Sequence, residues 1–269
     1  MRADKFVAQN GIFSRKEVKD LFKKKRVTLN GEVLADSARH IDPEKDEMTV
    51  DGIPVVYKPF IYLMMNKPAG YISATEDGRT ATVIDLLPEE FLHYEPFPVG
   101  RLDKDTEGLL LLTNDGDLAH KLLSPKKKVP KIYHARVEKP VSEKDIEAFR
   151  KGIYIKEDDF TTLPGDLKVL EGGEQPLCEV TICEGKFHQV KRMFEKRDNK
   201  VLYLERVSFA GLELDRDIPR GGCRELTAAE ESVIRREEMK NKRIIAWIVA
   251  GVMILSVVLG LAVQIVSIL

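Results

Sequence analysis

The chain has 269 residues, 32% of them charged, yet its net charge is only −1. That length supports a core without disulfide or metal staples, and that balance excludes both an acidic tail and a histone-like polycation, so any nucleic-acid surface must be local. The three cysteines, Cys178, Cys183 and Cys223, form no CxxC pair and suit a reduced, cytosolic protein, and the five histidines are scattered without metal-ligand spacing, so no metal is expected.

In chain order, Met1-Arg-Ala-Asp-Lys is polar, and no signal peptide is expected. Asp4-Lys-Phe-Val-Ala begins an amphipathic helix. Ser14-Arg-Lys-Glu is a capping-box pattern that opens a second helix, with Val18, Leu21 and Phe22 on its apolar face. Val27-Thr-Leu-Asn-Gly-Glu-Val predicts two short strands around an Asn30-Gly31 turn. Residues 14–26 hold seven Lys or Arg against two acids, a local excess of +5. A charge run is usually a solvated face. Crowded on one helix that runs into a tight hairpin, this one suits phosphate contacts on folded RNA.

The module resembles the S4 RNA-binding domain through RADKFVAQNGIFSRKEVKDLFKKKRVTLNGEVL. The resemblance implies that Ser14, Arg15, Lys16, Lys23 and Arg26 face RNA. A domain over residues 1–53 is therefore expected, followed by a short linker from Pro54 to Pro59.

Tyr62-Leu-Met-Met-Asn-Lys-Pro-Ala-Gly then predicts a strand ending in a Pro-Gly turn. Further strands are expected at Gly108–Thr113, Ile132–Val137, Cys178–Cys183 and Leu202–Val207, and helices at Asp117–Leu123, Ser142–Lys151 and His188–Lys196. Mixed order without strict alternation points to an α+β domain over 60–226, with a mixed, mainly antiparallel sheet. A charged helical connector spans 227–243. Ile244 to Leu269 holds 26 residues without a charge. As a helix it would extend roughly 39 Å, enough to cross a bilayer. A transmembrane helix over 244–268 is expected, with Lys240, Lys242 and Arg243 keeping the body cytoplasmic and the membrane as a partner.

The chemistry centres on Gly100-Arg-Leu-Asp-Lys-Asp-Thr-Glu-Gly-Leu-Leu-Leu-Leu. Two carboxylates and an arginine abut a run that reads as a buried strand. A carboxylate at the rim of a core needs a partner to stay ionised. An Arg101–Asp103 structural ion pair would satisfy that need, and so would an active site. A glycoside-hydrolase pair of Asp103 and Asp105 fits less well, because sugar-binding aromatics are sparse and the flanking loops are basic. Two other stretches add a tyrosine and cations: Ser124-Pro-Lys-Lys-Lys-Val-Pro-Lys-Ile-Tyr-His and Glu184-Gly-Lys-Phe-His-Gln-Val-Lys-Arg-Met-Phe. One acid, one aromatic and one cation among basic loops fit chemistry on a nucleotide taken out of its stack.

Over residues 60–226 the chain resembles the RsuA branch of pseudouridine synthases, through LMMNKPAGYISAT, VGRLDKDTEGLLLLTNDGDLAHKLLSP, KIYHARV and EGKFHQVKRMF. The resemblance implies uridine isomerisation in rRNA without a cofactor. Asp103 takes the place of the aspartate that attacks the nucleotide. Tyr133 takes that of the tyrosine stacked on the base, and Lys191 that of the cation paired with the acid. Arg101 and Thr106 would hold the loop, Leu110 and Leu112 would wall the pocket, and Arg192 would meet phosphate. Lys126, Lys127, Lys128, Lys131, Lys186 and His188 complete the expected RNA contacts, while Asp105 is expected to be dispensable. The His188-Gln-Val-Lys-Arg form and the SPKKKVPK loop look most like the enzyme acting on small-subunit rRNA. A large-subunit target and a non-catalytic, membrane-tethered RNA-binding protein are the alternatives. The expected partner is rRNA or a ribosomal subunit assembly intermediate, met by a monomer.

Overall fold

The capping box read from the sequence is present in the computed structural model, which describes residues 1–8 and 13–237. The Glu17 N–H donates to Ser14 Oγ at 3.3 Å, and the Ser14 N–H donates to Glu17 Oε2 at 2.7 Å. Two of the orphan donors at the start of helix α2 (Arg15–Lys23) are thereby satisfied. The described residues divide into two units, Met1–Gly116 with Asp215–Glu225, and Asp117–Leu214 with residues 226–237.

In the first unit, α1 (Ala3–Ala8) and α2 bury Phe6, Val7, Val18, Leu21 and Phe22. They pack with Val27, Leu29, Met48 and Val50 of a small antiparallel sheet. Its strands β1 (Val27–Leu29), β2 (Glu32–Val33), β3 (Met48–Val50) and β4 (Ile53–Pro54) run in the order β2-β1-β3-β4. Asn30 and Gly31 have φ of 51° and 85°, the left-handed pair that a two-residue hairpin turn requires. The Asn30 side chain also donates to Asp46 and accepts from the Glu47 N–H, tying the hairpin to the approach to β3.

Beyond the linker, β5 (Tyr62–Lys67) is buried along its whole length. A short helix α3 (Glu89–Leu92) and strand β6 (Phe97–Pro98) lead to β7 (Glu107–Thr113). β5 pairs antiparallel with β7 from Tyr62↔Thr113 to Lys67↔Gly108, and the strand Cys223–Glu225 pairs with β5 on its other edge. Leu109 to Leu112 are all inaccessible, which explains a continuous apolar run where a half-solvated strand would alternate.

The second unit starts from α4 (Gly116–Leu123) and is built on a sheet in the order β11-β12-β8-β13. These strands are β8 (Lys131–Val137), β11 (Asp166–Glu171), β12 (Leu177–Ile182) and β13 (Val201–Phe209), each antiparallel to its neighbour. Helix α5 (Glu143–Lys151) leads from β8 into the hairpin of β9 (Tyr154–Ile155) and β10 (Phe160–Thr161). Helix α6 (Gln189–Glu195) follows β12, and β14 (Leu212–Glu213) folds back on the end of β13. Cys178 is buried on β12, and all three cysteines are without disulfides.

The expected fold class is corrected on one point. Among the described residues no helix is long and apolar enough to cross a membrane, so the transmembrane helix is withdrawn from the fold. The physical reason is visible in the described helices: they are short and carry a charged face, as Glu230, Glu231, Arg235 and Arg236 do in the helical residues 228–237. Residues 244–268 lie outside the described residues, and neither a membrane partner nor tail anchoring is supported.

Candidate active site

The loop that carries Asp103 is held from inside by a lysine. Lys67 ends β5 opposite Gly108 and is 0% exposed. Its Nζ lies 3.0 Å from the Pro68 carbonyl, 3.1 Å from that of Asp103, 3.4 Å from that of Lys104 and 2.9 Å from that of Thr106. An ammonium has three donors, so four converging carbonyl dipoles saturate it and offset the cost of burying its charge. Ser73 Oγ adds a second clamp, accepting from the Leu102 N–H at 3.0 Å and donating to the Leu102 carbonyl at 3.1 Å. The Thr106 N–H closes the turn onto the Asp103 carbonyl at 3.1 Å, and the Gly70 N–H donates to Lys104 O at 2.7 Å.

The Asp103 backbone is therefore fixed on both sides while its side chain is half-buried. Asp105 and Arg101 are exposed, and the clamps on this loop are Lys67 and Ser73. Thr106 is buried within the turn, and Leu110 and Leu112 are fully buried in β7.

In the second unit, β8 is central and alternates, so Lys131, Tyr133, Ala135 and Val137 point inward. Tyr133 pairs with Val180 of β12 and with Arg206 of β13. Arg206 is 1% exposed, lies 4.8 Å over the Phe209 ring and donates to the Tyr133 hydroxyl. Burial pulls its pKa down, and the hydrogen bond to Tyr133 opposes that shift. The β13 ladder slips between Arg206 and Ser208, an irregularity of the kind that re-aims a side chain.

Lys131, expected at the RNA surface, is instead buried beside this pair. Its Nζ donates to Val129 O at 3.0 Å and sits 5.5 Å from the Phe209 ring. Burial above all, and then the Arg206 charge, lower its pKa to about 8.

The other expected contacts divide into two groups. Lys16, Lys23, Lys126, Lys128 and Lys186 are exposed, and Lys127 and Lys191 are half-buried. Arg15 is the first residue of α2. Ser14, Arg26 and Arg192 are engaged within the protein. Ser14 is used in the capping box. Arg26 makes a two-point ion pair with Asp51, including Nε to Oδ1 at 2.7 Å. Arg192 donates to Asp158 at 2.6 Å and approaches Glu157 at 3.7 Å. His188 is the N-cap residue before α6, with a left-handed φ of 48°.

Sequence reasoning passed over Lys67, Ser73 and Arg206. For the two cations a signal existed, since each sits in an apolar strand, where a charge is rare unless it is paired. Their partners are backbone carbonyls or residues distant in sequence, which composition does not reveal.

Residues 61–196 match the model of the RNA pseudouridylate synthase family. The chain is 50% identical over 232 residues to YtzG of Bacillus subtilis (strain 168), an uncharacterized RNA pseudouridine synthase, covering 86% of this chain and 96% of that protein. It is 38% identical to ribosomal small subunit pseudouridine synthase A of Escherichia coli (strain K12), covering 86% and 98% respectively. A crystal structure of a pseudouridylate synthase superposes with a TM-score of 0.61 at 32% identity, covering 87% of this chain and 99% of that one.

Proposed function

The chain belongs to the RNA pseudouridylate synthase family, in its RsuA-type branch, and we propose that it isomerises one uridine of small-subunit rRNA with Asp103 as nucleophile. The observation that carries this reading is the loop around Asp103. A buried ammonium and a serine fix its backbone, while the carboxylate at its head stays partly accessible. A nucleophile gains most from being held in place before substrate arrives. The small-subunit target is supported by relatives of that name from Escherichia coli, Yersinia pestis and Pseudomonas aeruginosa, at 36–39% identity over 96% or more of their length.

In this reading the Asp103 carboxylate attacks the nucleotide, and the N-glycosidic bond from N1 breaks. The uracil turns, its C5 bonds to the sugar, and the bond to the Asp103 carboxylate breaks, which frees the carboxylate. The C5 proton leaves and N1 gains one, so substrate and product are isomers and no co-substrate is consumed. Tyr133 stacks on the base and assists proton transfer, its hydroxyl oriented by Arg206. Lys191 stabilises the ionised acid. The N-terminal module, S4-like in sequence, contacts RNA through Lys16 and Lys23, and Lys126, Lys128 and Lys186 add phosphate contacts.

The test is a pseudouridine map of total rRNA from a strain lacking the gene, rescued with wild type or Asp103→Asn. One small-subunit site is expected to disappear and to return only with wild type. A lost site in large-subunit rRNA would move the target, and restoration by Asp103→Asn would remove the nucleophile.

A further inference from the structure

The turn between β12 and α6 holds an aromatic ring out in solvent. Phe187 is 73% exposed, and its ring stacks on that of His188 with centroids 3.8 Å apart and planes 18° from parallel. A mobile phenylalanine would fold back to shed water from its ring. This one is fastened. The Glu184 carboxylate accepts from the Leu163 N–H at 2.7 Å and from Gln189 Nε2 at 2.9 Å. Buried Gln189 in turn accepts from the Lys186 N–H at 2.9 Å. Arg192 Nη1, anchored on Asp158, reaches the Phe187 carbonyl at 3.4 Å. His188 sits in the left-handed region, which few non-glycine residues adopt.

Strain, three side-chain clamps and one exposed ring make little sense as packing, because Phe187 stays 73% exposed and buries little area that would repay them. They make sense for a planar ligand. In sequence the ring is flanked by polar residues, among them Glu184, Lys186 and Lys191. An open ring face with a lysine as its chain neighbour, the ammonium held 5.7 Å from the Phe160 ring, suits an unpaired nucleotide, whose base stacks and whose phosphate needs a cation.

We propose that Phe187, backed by His188, is a stacking platform for one unpaired base of the substrate RNA, a contact additional to those on the target uridine. The inference rests on the reading of this chain as an rRNA-modifying enzyme.

The test is RNA affinity as a function of salt, using an unmodified small-subunit rRNA transcript and the full chain. Phe187→Ala and Phe187→Leu are expected to weaken binding about tenfold, because leucine keeps apolar area but not a planar face, while Phe187→Tyr binds like wild type. The slope of log Kd against log salt is expected to stay unchanged in Phe187→Ala and to fall by about one in Lys186→Gln. Affinity of Phe187→Ala within twofold of wild type overturns the platform and leaves the ring to a protein partner. Wild-type affinity of Phe187→Leu overturns stacking as the cause. Turnover of the same transcript by wild type is read separately: its absence would count against the functional reading, and the affinity ratios would still decide the platform.

Discussion

At the scale of single residues, two carboxylates two positions apart have different fates. Asp103 is half-buried with a clamped backbone, and Asp105 is exposed. Asp103→Asn is expected to lower single-turnover isomerisation by about 10,000-fold with an unchanged melting temperature, while Asp105→Asn stays within about twofold. Equal losses in both would sink the assignment. Arg206→Gln is expected to slow the bound reaction at least about tenfold through misorientation of Tyr133, and to cost much less in a Tyr133→Phe background. Equal costs in the two backgrounds would show that Arg206 does not act through Tyr133.

Lys131 makes a prediction in pH. Its pKa falls from 10.5 to about 8 on folding, so between those values the unfolded chain holds a proton that the folded one has lost. Stability from this residue therefore rises with pH across that window, and below about pH 8 the buried charge is a standing cost. Lys131→Met is expected to raise the melting temperature at pH 7, with the gain shrinking as pH climbs from 8 toward 10.5. A difference that is flat with pH would mean that the ammonium is hydrated.

At the scale of elements, the helices and strands expected around the site match those observed to within a residue or two, because their signals are local. The Ser14 capping box and the Asn30-Gly31 turn each need only neighbours within three residues. What escaped the pattern were short or solvated strands. β11 is exposed over most of its length and lacks the alternation of a half-buried strand, and β9 and β10 have two residues each. The turn after α5 shows how tightly this region is made. Gly152 has φ 86° and ψ 148°, and a Cβ there would lie 2.3 Å from the Thr162 carbonyl. Only glycine occupies that conformation readily. Gly152→Ala is expected to cost about 3 kcal/mol or more in urea unfolding, and a cost below about 1 kcal/mol would show that the β9–β10 hairpin yields.

At the scale of the whole molecule, a net charge of −1 hides an uneven distribution of cations. Some are neutralised by partners, as Arg26 is by Asp51 and Arg192 by Asp158. Others, such as Lys16 and Lys23, are exposed on α2. RNA affinity is therefore expected to fall steeply with salt despite the near-neutral total. Lys16→Gln with Lys23→Gln should reduce the slope of log Kd against log salt by about 1.5, while Arg26→Gln with Asp51→Asn changes it little. The reverse ranking would place the RNA on the other face of the module.

Local sequence carries the α+β class, most of the elements around the site, the family motifs and the stretch GRLDKDTEGLLLL as a polar turn against a buried strand. All of these depend on residues within a few positions of one another or on long matching motifs. Hydropathy also predicted a membrane helix at the C-terminus, which the described structure does not support. Which cations are spent inside and which face outward depends on how the chain folds in space. Lys67 meets carbonyls 36 to 39 positions away, Arg26 its acid 25 away and Arg192 its acid 34 away. Burial, charge compensation and the outward fixing of Phe187 depend on distances in space, and a charged side chain carries no mark in the sequence of which carbonyl or carboxylate folding will bring to it.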